Sequence, residues 1–325
     1  MKKWFSQLIG SPGGDGSAAP GAGMHETAAA AAAAGQVGSE IDAAWYRLLT
    51  ASAGYFAAPD VEERMLAEVQ ALADQPGAAA GLVPRMPGVI PELLRGLEDD
   101  ASPAALAQQV AQDVVLMAEV IREANSAYYR PMTPVKTAEA AVMMLGQNGL
   151  RMLLARIAFR PIIKMSADGF ARSAAPRIWN QSEKCALASS LLAPGLSASV
   201  FKSCLAGLMQ NVGLVVALRI ADRVCEDGKV PGSGEFGVRL LAASRQLSCA
   251  IARHWDFPRE VADAIWQPGA PGGGGLGKAL AMGDRIAKLR LLLDEGVLAE
   301  DDPLVSTGLD SFQRRCLGKL ANIDG

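Results

Sequence analysis

Metal-assisted or nucleophilic chemistry needs histidines, cysteines and carboxylates at ligand or hydrogen-bond spacing, and this chain of 325 residues is poor in such sets. Its two histidines are His25, within a Gly- and Ala-rich stretch, and His254. His254 follows Cys249 by five positions, a spacing that turns the two side chains to different faces of a helix. The five cysteines, Cys185, Cys204, Cys225, Cys249 and Cys316, are scattered and include no Cys-x-x-Cys pair. They predict neither a zinc ribbon nor a disulfide framework, and read as reduced core thiols of a cytoplasmic protein. Asp284 stands beside Arg285 and one helical turn before Lys288, which reads as a helix-face carboxylate with an ion-pair partner.

Two further groups suit contact better than catalysis. Trp4, Phe5, Leu8 and Ile9 fall on one side of a helix in residues 1–10, the spacing of a peptide that docks in a groove. Lys2 and Lys3 add weak attraction to an anionic membrane but not stable insertion. Tyr128 and Tyr129, in the loop Asn125-Ser-Ala-Tyr-Tyr-Arg-Pro, carry amphipathic rings favoured at interfaces. Asn125 itself reads as a helix end in the left-handed conformation.

The elements that must position these residues read as helices throughout, because no long two-residue alternation of apolar and polar side chains is present. Half of the residues are hydrophobic, enough for a sizeable core. Residues 11–38 are Gly, Ala, Ser and Pro with few large apolar side chains and predict a disordered linker. Ser39-Glu-Ile-Asp has the form of a capping box opening a first helix through Trp45 and Leu49. Asp60 opens a second, with Met65, Val69 and Leu72 along one face, and Ser102-Pro103 and Thr133-Pro134 are read as further helix starts. Leu150, Leu153, Leu154 and Ile157 make another apolar face, and Phe257-Pro258 and Gly277 mark later restarts. No uninterrupted apolar run approaches the ~20 residues of a membrane helix. The near balance of 31 Lys and Arg against 34 Asp and Glu offers no cationic field for nucleic acid.

From Leu82 onward the chain resembles the HDOD family, the HD-related output domain of bacterial signalling proteins. Leu82-Val-Pro-Arg-Met-Pro-Gly-Val-Ile-Pro-Glu-Leu-Leu resembles the family's entry segment. Gln112-Asp-Val-Val-Leu-Met-Ala-Glu-Val-Ile-Arg-Glu-Ala-Asn-Ser-Ala-Tyr-Tyr is similar to its following helix, and Thr137 to Leu154 to its next helix pair. Trp179 opens a segment similar to "LWRHSLAVA", and His254-Trp-Asp-Phe-Pro is similar to the turn before the last family helices. Leu205-Ala-Gly-Leu-Met-Gln-Asn-Val-Gly resembles the HD signature "AGLLHDIG", with Gln210 and Asn211 in place of the ligating His and Asp.

The resemblance implies an all-α, HD-like helical bundle over residues 82–293. It would be preceded by a terminal peptide (1–10), the linker (11–38) and a helical segment packed on the bundle (39–81), and followed by a helical extension (294–325). It places Gln181 where the first HD histidine stands and Ser244 where a third is expected, and leaves Asp284 as the remaining carboxylate. Neutral amides hold a transition metal poorly, and a catalytic metal needs about three protein ligands. The expectation is therefore a non-catalytic regulatory protein with no metal or cofactor. By the resemblance it would contact a diguanylate cyclase, a phosphodiesterase or a response regulator, in cyclic-dinucleotide, motility, biofilm or virulence signalling. Gln181, Gln210, Asn211, Ser244 and Asp284 either satisfy one another in a former cavity or line a retained nucleotide pocket. The alternative function is a divergent metal phosphohydrolase acting on a cyclic dinucleotide.

Overall fold

The computed structural model describes residues 23–51, 54–56, 59–83, 114–125, 131–164, 169–225, 229–270, 274–306 and 309–321. Among them the chain is almost wholly helical. It divides into two units, Met1–Val37 and Gly38–Gly325. Helix α1 (Gly23–Leu49) is already under way well before the capping pattern at Ser39. Its first half carries the run of alanines 28–34, the residue type of highest helix propensity, so the helix that was expected to open at Ser39 simply passes through it. Residues 1–22, with Trp4, Phe5, Leu8 and Ile9, lie outside the described residues, as do Ser102-Pro103, Tyr128 and Tyr129.

In the second unit α1 buries Ile41, Ala44, Trp45, Tyr46, Leu48 and Leu49. A short strand β1 (Gly54–Phe56) follows, then α2 (Pro59–Ala73) and α3 (Pro76–Gly81). β1 pairs in parallel with β2 (Lys229–Pro231), a two-stranded element too short for alternation to reveal in sequence. Tyr46 ties α1 to this corner: its hydroxyl donates to the Pro231 carbonyl at 2.6 Å and its ring meets Phe236 edge-on at 5.9 Å.

Helix α4 (Val114–Ala124) ends at Asn125, whose backbone is not left-handed. Instead its side chain brackets the extended chain at Val135: Nδ2 donates to the Val135 carbonyl, and the Val135 N–H donates to Oδ1, both at 2.8 Å. That bracket holds the Thr133-Pro134 segment out of helix, and α5 (Ala138–Lys164) starts later, capped by the Thr137 hydroxyl, which accepts from the Ala140 N–H. Arg156 on α5 pairs with Glu123 on α4 at 2.5 Å and with Glu183 on α6 (Gly169–Leu192) at 2.7 Å, fastening three helices.

Helix α6 is the axis of the unit, buried along nearly its whole circumference and packed most extensively against α11 (Gly275–Asp294) and α7 (Val200–Met209). Its N-terminus is capped from outside: Asp222, on α8 (Val212–Val224), accepts from the Phe170 N–H at 2.6 Å and the Ala171 N–H at 3.1 Å, a negative charge set against the positive helix end. The span Val200–Val224 is long and apolar enough to cross a membrane by length and composition alone, but it is broken at Gln210-Asn211 into α7 and α8, and 89% of its most apolar window is buried in the unit.

Helix α9 (Gly234–His254), capped by the Ser233 hydroxyl, covers α8, α2 and α3, and α10 (Arg259–Trp266) follows it. After α11, a short α12 (Pro303–Ser306) leads to α13 (Ser311–Leu320). α13 opens with a capping box between Asp310 and Gln313, and the buried Lys184 ammonium donates to its Leu320 carbonyl at 3.3 Å.

Two glycines bring the α7–α8 turn into contact with its neighbours. A Cβ at Gly207 would fall 2.5 Å from the Ala186 Cα on α6, and one at Gly213 would fall 2.2 Å from the Ser244 carbonyl oxygen on α9. Gly213→Ala must push α8 from α9 and is expected to cost about 1–3 kcal/mol, the usual scale of an overpacked core. Chemical denaturation checks this, and an unchanged midpoint would contradict the close approach.

Candidate functional site

Of the five residues for which the resemblance implies HD-ligand positions, helices α6 and α11 and the α7–α8 turn bring four together, with Gln181 and Gln210 donating directly to Asp284 and Asn211 held against Gln181. Gln181 comes from the middle of α6, Gln210 and Asn211 from the turn between α7 and α8, and Asp284 from α11. The Gln181 Nε2 donates to Asp284 Oδ1 at 2.6 Å, and the Gln210 Nε2 donates to the same oxygen at 3.1 Å. Asn211 acts one step further out, donating from Nδ2 to Gln181 Oε1 and, at 2.9 Å, to Ser182 Oγ. This fixes the Gln181 amide with its nitrogen toward the carboxylate.

The other oxygen of Asp284 faces cations. Lys288 Nζ donates to Oδ2 at 2.6 Å, and Arg245 Nη2, from α9, donates to it at 3.3 Å. A carboxylate has about four acceptor positions, and protein donors take all of them. No lone pair of Asp284 is left to bind a metal ion.

Beyond this shell lies a residue from α1. Asp42 accepts from Lys288 Nζ at 2.5 Å through Oδ1 and from Arg245 Nη2 at 3.2 Å through Oδ2. The four side chains are largely out of water, with exposures of 3% for Lys288, 12% for Asp284, 15% for Asp42 and 20% for Arg245. Two positive and two negative charges therefore cancel inside the unit.

Burial by itself would raise the Asp42 pKa, but the adjacent Lys288 and Arg245 outweigh it and hold the carboxyl below its ordinary 3.8. Burial likewise works to lower the Arg245 pKa, and Asp42 and Asp284 reverse it, so the guanidinium is held more firmly protonated than usual.

Cys185 on α6 accepts from Gln210 Nε2 at 2.9 Å. Burial, reinforced by the Asp284 charge, drives its pKa well up, so it is a thiol and not a thiolate nucleophile. Ser248 on α9 secures the backbone of the turn: its hydroxyl donates to the Gln210 carbonyl at 2.6 Å and accepts from the Gly213 N–H at 2.8 Å. Gln210 Oε1 is buried and has no hydrogen-bond partner among the described residues.

Ser244 stands apart from the network of side chains. Its hydroxyl donates to the Leu241 carbonyl within α9 at 2.8 Å, and its own carbonyl oxygen lies close to Gly213. The adjacent Arg245 points into the site in its stead. Asp284 has the ion-pair partner read from the sequence, Lys288 one turn on, but it is buried, because the face of α11 that carries it packs against α6. None of Asp42, Ser182, Cys185 and Arg245 was read from the sequence as a site residue. Arg245 adjoins the position expected for a third ligand, which was the available signal, whereas Asp42 was read only as the acidic member of the Ser39 capping pattern. Cys249 is buried while His254, at the end of α9, is exposed. Among the described residues no group of three or more His, Cys, Asp or Glu side chains is placed to hold a metal ion.

The family model for the HDOD domain matches residues 83–271, more than half of the chain. The chain belongs to the HDOD family. The solved structures it resembles include an HDOD domain protein of unknown function from Geobacter sulfurreducens, at 21% identity and a TM-score of 0.56, covering 77% of this chain and 93% of that one. A second, from Shewanella amazonensis SB2B, is described as a proposed metal-dependent phosphohydrolase, at 19% identity and a TM-score of 0.55, covering 80% and 99%. A third, from Marinobacter aquaeolei VT8, is a proposed signal transduction protein, at 20% identity and a TM-score of 0.53, covering 81% and 66%. At these identities the likeness establishes the fold. An uncharacterized protein of Treponema pallidum (strain Nichols) is 22% identical over 193 residues, which are 56% of this chain and only 37% of that protein. Within this HDOD chain, Asp42 and the Asp284–Lys288 pair lie outside the matched stretch, on its two flanks.

Removing one partner of a buried ion cluster strands the other. Lys288→Met is expected to destabilise the fold by about 3–5 kcal/mol at neutral pH. Because the folded Asp42 pKa is depressed, its contribution is fully present above 3.8 and is lost as pH falls through the folded value. The gap between wild type and Lys288→Met should accordingly narrow below about pH 4 in denaturation curves. A gap independent of pH would contradict the ionised pairing.

Proposed function

We propose that this chain is a non-catalytic regulatory protein of bacterial signal transduction that acts through contacts with other proteins. The observation that carries the reading is the saturation of Asp284: two amide nitrogens and two cationic groups take the positions through which the carboxylate would hold a metal. HD-type hydrolysis needs a bound ion to lower the pKa of a water, and amides at positions 181, 210 and 211 supply neither charge nor suitable donors for one. Membership of the HDOD family agrees with this, and so does the description of the Marinobacter relative as a signal transduction protein.

The partner class we favour is a diguanylate cyclase, a phosphodiesterase or a response regulator. The surfaces we assign to the contact are the apolar side of the terminal peptide, with Trp4, Phe5, Leu8 and Ile9, and the loop that carries Tyr128 and Tyr129. Exposed Met132 follows that loop, and Met143 is exposed on α5, adding adaptable apolar area of the kind interfaces use. The competing reading, a metal-dependent phosphohydrolase as the Shewanella relative is described, requires Asp284 to leave all four donors.

Full-length protein purified without added metal is expected to carry far less than one equivalent of iron, manganese or zinc, and to leave cyclic dinucleotides intact when those ions are supplied. Elemental analysis with a chromatographic turnover assay checks both. Stoichiometric metal accompanied by turnover would overturn the proposal.

A further inference from the structure

Asp42 has no part in the inventory of HD ligands, yet it is the carboxylate that completes the charge balance of the site. With Asp42 set aside, two basic side chains, Arg245 and Lys288, share the single carboxylate of Asp284. The donors now used on Asp42 come from two different helices, α9 and α11, and converge on one carboxylate from both of its oxygens. Lys288 is 3% exposed and the Arg245 side chain 20%, so few water molecules compete for those donors. Fixed charged donors, excess positive charge and a low local dielectric are the requirements for recognising a small oxyanion.

We infer that Arg245 and Lys288 form an anion-binding site for a small carboxylate or similar oxyanion, and that Asp42 is its built-in ligand. Helix α1 delivers that ligand and keeps it there. Ile41, Ala44, Trp45, Tyr46, Leu48 and Leu49 of the same helix are buried, the Tyr46 hydroxyl is bonded to Pro231, and Gly237 makes room for the Tyr46 ring, into which a Cβ would intrude at 2.5 Å. A free anion would have to dislodge this apolar seat, which a small ion cannot do. The tethered carboxylate thus closes the former catalytic cavity to nucleotides and inorganic phosphate. The inference is independent of the regulatory role proposed above, since it concerns what fills the site and not what the surface contacts.

Chemical rescue tests it. Asp42→Ala leaves a space the size of a formate ion beside the two cations. Sodium formate should raise the thermal midpoint of Asp42→Ala in a saturable manner, by about 2 °C or more near saturation. It should act much less on wild type, where the site is filled, and on Asp42→Ala/Lys288→Met, where a cation is missing. The double variant also subtracts the general effect of salt. If Asp42→Ala is unfolded in the absence of formate, the readout becomes recovery of native helical circular dichroism on adding it, with the double variant again as control. A shift common to all three proteins, no response in Asp42→Ala, or saturable stabilisation of wild type by inorganic phosphate would each overturn the built-in ligand.

Discussion

The arrangement of this molecule depends on the fact that an ionised carboxylate cannot remain in a protein interior without partners. Taking a carboxylate out of water costs several kcal/mol, and attraction to a single cation does not always recover it. In an HD enzyme the metal supplies the compensating charge. Asp284 here sits at the junction of α6, α9 and α11 with two amide donors on one oxygen and a lysine and an arginine on the other. Two cations over one carboxylate are themselves unbalanced, and Asp42 answers that excess. One substitution of chemistry, cationic side chains in place of a metal, therefore requires a second residue from a separate helix.

The same requirement explains why the surrounding backbone is packed so closely. The Gln210 amide, carried by the α7–α8 turn, reaches Asp284 beside that of Gln181 while the turn is pressed against α6 and α9, and glycines at 207 and 213 permit that approach. Ser248 then locks the turn through its backbone, and Asn211 orients Gln181 from the far side. These are polar contacts in a region otherwise filled by Leu205, Leu208, Val212 and Leu214. Such a network specifies one arrangement of helices, since a displaced member would leave buried donors unmatched.

Much of the fold was legible in the sequence because helix periodicity and capping chemistry are local. Met65, Val69, Leu150, Leu153 and Leu154, read as apolar faces, are buried. The failures were also local preferences overruled at a distance. A helix starting at Thr133-Pro134 gave way to the bracket that Asn125 makes on Val135, and the Ser39 signal was overrun by a helix already propagating through alanines. In the site, Gln181, Gln210, Asn211 and Asp284 could be named because the family resemblance implies ligand positions for them. Asp42 and Arg245 could not, because ion pairing across hundreds of residues leaves no spacing in the chain, and a lone acidic residue on a helix is ordinarily solvated.

The central claim is that protein cations hold Asp284 in the way a metal would. Anomalous X-ray diffraction from crystals equilibrated with manganese addresses it most directly, because it reports the position of any bound ion together with the donors around it. The prediction is no anomalous peak within coordination distance of Asp284, with Lys288 Nζ lying between the carboxylates of Asp42 and Asp284. A manganese ion bound to Asp284, with Lys288 and Arg245 turned away, would contradict it.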